Sequence, residues 1–442
     1  SSAVGSTAKN TSRDVWMYFG SIGASHGHKD TMNLGMTAFG LNFMPDLGYP
    51  EKTGKQPNRL QWVASTLSHN TVMVDEKEQE ENEEIRGKIK HFDGDGTVQV
   101  MDVSAPYAYK SADEYRRSVV YVKTDDENSY AVDFFRILGG DSHLYSFHPS
   151  SNSIKSTEGL DFTLVEDENG NYISGSQLDD NGEYKGTYVG RDVTYIKKTA
   201  KDGTVTVRLP VEGETLASNE VELPLEYGQD PNSPDSWEYE TLFPRGYTWL
   251  KNIDRDTEPE NKIEIDFEIK DFNKAIKDSK GLGLYMTVLN DSNVKNGANA
   301  EISIADGLPP QTADNKNIDK LKYVLIKNEG TNLDTTFTTV FEPYRNERYI
   351  SSADELTMNP VGGTPADSDT ARAVKVMHKN GRVDYIFYAT NNAVTYEIDD
   401  DGTELSFRGF AGVYTLQNGE NTYRYVLDGD IIGEVTEKAS SI

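Results

Sequence analysis

Residues 117–138 read Arg117-Ser118-Val119-Val120-Tyr121-Val122-Lys123-Thr124-Asp125-Asp126-Glu127-Asn128-Ser129-Tyr130-Ala131-Val132-Asp133-Phe134-Phe135-Arg136-Ile137-Leu138. Two runs rich in β-branched and aromatic side chains flank a polar connection from Thr124 to Ser129. Such side chains suit a pleated, buried surface, and a short polar link between two such runs marks a β-hairpin. The pattern predicts strands over 117–123 and 130–138.

The same signal recurs on both sides, at 16–19, 98–103, 204–209, 282–289, 323–326 and 336–341, and with strict alternation at 263–269. Asn-Gly pairs at 169–170, 181–182, 296–297, 380–381 and 418–419 are turn signals, because both residues tolerate positive φ. Helical periodicity is almost missing, and its one candidate is a short segment over 272–278. The expected fold is all-β: a large antiparallel multi-layer β-sandwich. The stretch Met358-Asn359-Pro360-Val361-Gly362-Gly363-Thr364-Pro365 reads as a linker. Further strands at 373–377, 383–389, 405–407, 412–416 and 423–427 then predict a smaller C-terminal β-domain. The expected division is 1–355 and 366–442. The polar stretch 229–235 reads as a surface loop.

Composition narrows the function. The 442 residues carry 73 acidic against 44 basic side chains, a net charge of −29. A surface of that sign repels nucleic acid and anionic lipid, so neither is an expected partner. A polyanionic polysaccharide would meet the same repulsion, so a site for one must be locally basic or neutralised by metal. Cysteine is absent, which removes disulfides and thiolate metal sites. No apolar run approaches 18 residues, so no transmembrane helix is expected. The chain opens on Ser1-Ser2-Ala3 without a signal peptide, which reads as a cut or a processing site.

Three of the seven histidines fall early: His26 and His28 in Ser25-His26-Gly27-His28-Lys29-Asp30, and His69 in Ser68-His69-Asn70-Thr71-Val72-Met73-Val74-Asp75. In extended chain, residues two apart point the same way, so His26 and His28 can face one pocket. Asp46 follows in Phe43-Met44-Pro45-Asp46-Leu47-Gly48. Two or three imidazoles with a carboxylate suit Zn2+. The same residues also read as ordinary hydrogen-bonded histidines at strand ends. Gln56, Asn58, Arg59 and Trp62 lie between these motifs, where a loop could border a cleft. His143 and His148 read as structural. Tyr107, Tyr109 and Tyr115 read as packing residues that could also stack on sugar rings, and the acidic run 75–84 reads as a solvated loop.

The motifs His26-Gly27-His28-Lys29-Asp30, Asp46-Leu47-Gly48 and His69-Asn70-Thr71-Val72-Met73-Val74-Asp75, in this order, resemble the heparinase II/III family of polysaccharide lyases. The likeness continues through Tyr115-Arg116-Arg117, Val132-Asp133-Phe134-Phe135-Arg136 and Phe341-Glu342-Pro343-Tyr344. The resemblance implies β-elimination on a uronate-containing acidic polysaccharide, glycosaminoglycans among them. By motif position it implies His28, Asp46 and His69 as ligands of one zinc, in a bracing role, and His26 as the catalytic histidine. Such enzymes also draw a tyrosine acid/base and a carboxylate-binding side chain from a helical toroid. Nothing in this sequence matches a toroid, so the chain is expected to lack part of the site. A secreted or cell-surface, bacterial-type location goes with this reading. The alternative is a non-catalytic carbohydrate-binding or structural β-module.

Overall fold

The structure, a computed structural model, describes residues 13–21, 27–48, 62–182, 195–200, 203–208, 220–222, 237–241, 246–289, 299–309, 319–362 and 370–434. The opening hairpin is present as Glu114–Lys123 paired antiparallel with Ser129–Leu138, from Glu114 opposite Leu138 to Lys123 opposite Ser129. Asp125 closes its turn by accepting hydrogen bonds from the backbone N–H of Glu127 and Asn128, each at 2.7 Å. The hairpin lies inside an eight-stranded sheet, flanked by Val98–Ser104 on one side and Asp334–Arg345 on the other.

Both runs are apolar almost throughout because both faces of this sheet are covered. Val119, Tyr121, Phe135 and Ile137 face a core shared with a seven-stranded sheet, through Tyr145, Phe147, Ile302, Ile304, Val324 and Ile326. Val120, Val122, Val132 and Phe134 face the opposite way, onto Val374, Val376, Ile386 and Val413 of a five-stranded sheet. That sheet joins strand Ile350–Leu356 to strands Ala371–His378, Arg382–Ala389, Ala411–Gln417 and Glu420–Leu427. Its outer face packs through Phe387 and Tyr414 on Ile398, Leu405 and Phe407 of a four-stranded sheet. Burying each Val, Leu or Phe stabilises by about 1.5–3 kcal/mol, so three stacked cores hold these four layers.

A small sheet of Arg13–Tyr18, Asn33–Ala38 and Leu41–Asn42 lines the first core through Met17, Leu34 and Met36. Every pairing among the described strands is antiparallel except Gly203–Arg208 with Glu220–Glu222. The expected helix over 272–278 is instead a turn. The Asp271 carboxylate accepts from the N–H of Ala275 (2.8 Å) and Ile276 (3.0 Å), and Lys274 takes φ +52, which no helix admits.

Candidate metal centre

The ligand candidates sit on three loops at one end of the small sheet. His28 precedes strand Asn33–Ala38, Asp46 follows Leu41–Asn42, and His69 ends the 3-10 turn Thr66–Ser68 ahead of strand Val72–Val74. Backbone bonds fix these loops together. Lys29 N–H donates to Ala64 O, Leu34 N–H to Asn70 O, and Asn33 N–H to Asp30 O.

Side chains complete the lacing. Asn70 N–H donates to Asn33 Oδ1 at 2.9 Å, and the Asn70 amide donates to Leu34 O while accepting from His148 N–H. Gln79 bonds both backbone groups of Thr31 and donates to the Tyr115 hydroxyl. Arg117, fully buried, forms a two-pronged ion pair with Asp133 at 2.7 and 2.9 Å. Its remaining nitrogen donates to Met32 O and Asn70 O, both at 2.6 Å. Arg117 thereby ties the loops bearing His28 and His69 to the eight-stranded sheet.

His28, Asp46 and His69 converge, and Asp30 joins them: one ligand atom from each lies within 4.8 Å of all the others. His28 Nδ1 is 3.1 Å from His69 Nε2, His69 Nε2 is 3.2 Å from Asp46 Oδ2, and His28 Nδ1 is 3.7 Å from Asp46 Oδ1. Two ligands of a tetrahedral zinc, each about 2.0–2.1 Å from the ion, stand about 3.3 Å apart. The observed spacings bracket that value.

The tautomer fits as well. His69 Nδ1 lies 2.7 Å from Ser65 O and must carry hydrogen to bond it, which leaves the Nε2 lone pair pointing at the Asp46 carboxylate. A lone pair facing a carboxylate requires a cation or a proton between them. Burial works against charge on His69, but the hydrogen bond and charge of Asp46, aided by Asp30 and the Ser65 carbonyl, outweigh it and lift the ring to about 9. Burial likewise opposes ionisation of Asp46, yet the two histidines hold its carboxyl far below the usual range. Burial raises Asp30 to about 6, against the pull of His69 and His28. The donor set therefore fits a divalent cation. His69 is fully buried, while the Asp46 side chain keeps 28% of its surface, so the site opens on that side.

Other expected residues fall elsewhere. His26, Gln56, Asn58 and Arg59 lie outside the described residues. Trp62 is a core residue instead of a cleft residue: it is buried, its Nε1–H donates to Leu308 O at 2.6 Å, and its ring meets Tyr323. Tyr109 and Tyr115 are buried with both hydroxyls donating to Val72 O, and Tyr107 is exposed. The acidic run 75–84 is partly built into the site, since Glu78 accepts from Thr66 N–H and Gln79 is buried. His143 is structural, with Nε2 on Gly139 O (2.7 Å) and Nδ1 on Thr335 Oγ1 (3.0 Å). His148 is buried against Tyr323, and neither ring nitrogen makes a well-formed hydrogen bond. Asp30 was signalled by its spacing, two residues after His28 as His28 is two after His26.

Residues 12–220 match the family described as Heparinase II/III-like, C-terminal. No curated protein matches this chain. Among solved structures the chain is similar to the heparan sulfate lyase HepC from Pedobacter heparinus, at 12% identity and TM-score 0.42, covering 89% of this chain and 38% of that one. It is also similar to the Heparinase III-BT4657 gene product, at 13% identity and TM-score 0.46, covering 85% of this chain and 39% of that one. The chain thus spans less than two-fifths of the length of either structure.

Proposed function

From the match of residues 12–220 to the heparinase II/III-like C-terminal family, we propose that this chain is the metal-bearing β part of a lyase that cleaves a uronate-containing polysaccharide by β-elimination. The observation that carries the reading is the convergence of His28, Asp46 and His69 at ligand–ligand spacings of 3.1–3.7 Å. In this reading the sandwich of 1–355 carries the site, and the unit 366–442 covers its far face. A secreted or cell-surface address, where such polymers are met, belongs to the same reading.

β-Elimination at a uronate needs three things: the C6 carboxylate neutralised, the C5 proton removed, and O4 protonated as it leaves. His26, two residues before His28, is assigned to proton transfer or to the substrate carboxylate, since imidazole titrates near neutral pH. His28, Asp46 and His69 would hold Zn2+, whose charge would brace the loops that carry them and would satisfy the His69 lone pair that faces the Asp46 carboxylate. Lys29, paired with Glu81 at 2.6 Å, and the Ala64 contact hold the residues beside His28 in place. The remaining acid/base and carboxylate-binding groups are assigned to a helical toroid that completes the cleft.

Protein purified without chelator should carry about one metal per chain by elemental analysis, as a three-ligand site requires. Asp46→Ala and His69→Ala should lose it, and unchanged metal content in both would sink the assignment. The lyase step is read on the protein joined to its toroid. That protein should release an ultraviolet-absorbing unsaturated uronate, and His26→Ala should abolish the signal while keeping the metal.

A further inference from the structure

On a chain of net charge −29, the segment 270–280 runs against the average: it holds Lys270, Lys274, Lys277 and Lys280 against Asp271 and Asp278. The structure folds this segment along two adjoining cavities. The smaller, about 380 Å³, is lined by Asp46 and its neighbours Pro45, Leu47 and Gly48 and reaches Lys270, Asp271 and Phe272. The larger, about 640 Å³, begins at the same Lys270, Asp271 and Phe272 and continues past Lys155 to Lys274 and Lys280. The shared residues join the two cavities into one groove whose near end reaches Asp46.

Hydrogen bonds hold the groove's wall in register with that end. Ser150 N–H donates to Phe43 O at 2.8 Å, and Lys270 N–H donates to Ser150 O at 2.9 Å. The loop bearing Asp46 and the segment bearing Lys270 are therefore fixed through one residue.

The two acidic groups of the larger cavity are already engaged. Glu268 pairs with Lys270 at 2.7 Å and accepts from Ser153 Oγ, and Asp271 spends both oxygens on the backbone of Ala275 and Ile276. Lys155 is held by the Tyr344 hydroxyl at 2.7 Å, with its ammonium over the Tyr344 ring, and pairs with Asp266 at 3.6 Å, so it fixes the groove's wall while the free charge comes from its neighbours. Lys274 and Lys280 are exposed and make no ion pair among the described residues, so their charge faces the groove uncompensated. Half-buried Phe272 stands at the junction of the cavities and offers a ring to a sugar face.

We propose that this groove, from the Asp46 loop across Phe272 to Lys155, Lys274 and Lys280, is a binding track for the anionic groups of an acidic polysaccharide. The choice of ligand rests on the lyase reading; the location rests on the groove itself. Lysines placed where an otherwise acidic surface repels a polyanion set both where the chain lands and in which direction it leads to the metal centre.

The test measures binding of this 442-residue chain to a heparin octasaccharide and to an unsulfated alginate octasaccharide, by calorimetry at two salt concentrations. Lys274→Glu/Lys280→Glu should weaken binding about tenfold, with metal content unchanged, whereas the equal charge change Lys88→Glu/Lys90→Glu on an exposed edge strand should not. Lys274→Gln/Lys280→Gln should fall between. Loss in the alginate arm assigns the track to carboxylates, and loss confined to heparin assigns it to sulfates; either supports the proposal. Failure of the native chain to bind both probes, or native affinity in the Glu variant, overturns it. A parent protein that never forms unsaturated product, while binding still depends on Lys274 and Lys280, would defeat the lyase reading and leave the track standing.

Discussion

Arg117 shows how much one buried charge can organise. Its guanidinium pairs with Asp133 where neither side chain is exposed, and the Tyr145 hydroxyl bonds both partners. Removing one member of such a pair leaves a buried charge alone, so Arg117→Met should cost about 3–5 kcal/mol by denaturant unfolding. The double change Arg117→Met/Asp133→Leu should recover much of that loss but not the tie to Met32 and Asn70. A stability change below 1 kcal/mol for Arg117→Met, on the scale of exposed pairs at roughly 0–1 kcal/mol, would contradict this role. His143 gives a pH signature. Burial depresses its pKa from 6.5 to about 4, with the Gly139 carbonyl opposing. Between those values the unfolded chain takes a proton that the folded chain refuses, so stability falls as pH drops from 6.5 towards 4. His143→Gln should flatten that slope in chelator-treated protein; an unaltered slope would remove His143 as its source. At this scale the motifs singled out His28, Asp46 and His69, which the structure brings within 4.8 Å of one another, because histidine and carboxylate types are visible residue by residue. Arg117 had no such signal, since what it holds lies 16, 47 and 85 residues away.

Among elements, strands were the most legible feature. The expected strand 282–289 coincides with Leu282–Leu289, and 263–269 lies one residue from Lys262–Glu268. A strand's side-chain alternation, or its unbroken apolar run when both faces are covered, is written in consecutive residues. The 272–278 segment misled because its lysines and apolar residues mimic a helical spacing, while the Asp271 side chain captures the N–H groups a helix would need. Turns carry the tightest constraints. Gly139 ends strand Ser129–Leu138 at φ +94, and a Cβ there would lie 2.6 Å from Ser111 O. Its carbonyl also receives His143. Gly139→Ala should therefore destabilise by more than about 1 kcal/mol, the scale of strain at a left-handed position, and lower the melting temperature. An unchanged melting temperature would show that the turn relaxes.

Across the whole molecule, layer order was the least legible property. Which sheet covers which depends on contacts far apart in sequence, such as Val120 and Val132 meeting Val374 and Val413. Cutting the chain after Arg345 would strip that cover and leave Val98, Val100, Val120, Val132 and Phe134 facing water. The truncated protein should bind a hydrophobic dye and aggregate on a sizing column, whereas a monodisperse truncation would show that the eight-stranded sheet tolerates an open face.

The position of strand Asp334–Arg345 carries a further consequence. It pairs with Ser129–Leu138 on one side and Leu282–Leu289 on the other, so the middle of the eight-stranded sheet closes only when residues some 200 positions apart meet. Pairings of such high contact order form slowly. On a ribosome, the hairpin that opens this sheet must wait, with both apolar faces uncovered, until most of the chain has emerged. Folding yield should therefore respond to translation speed and chaperone supply more than to any substitution in the loops bearing His28, Asp46 and His69.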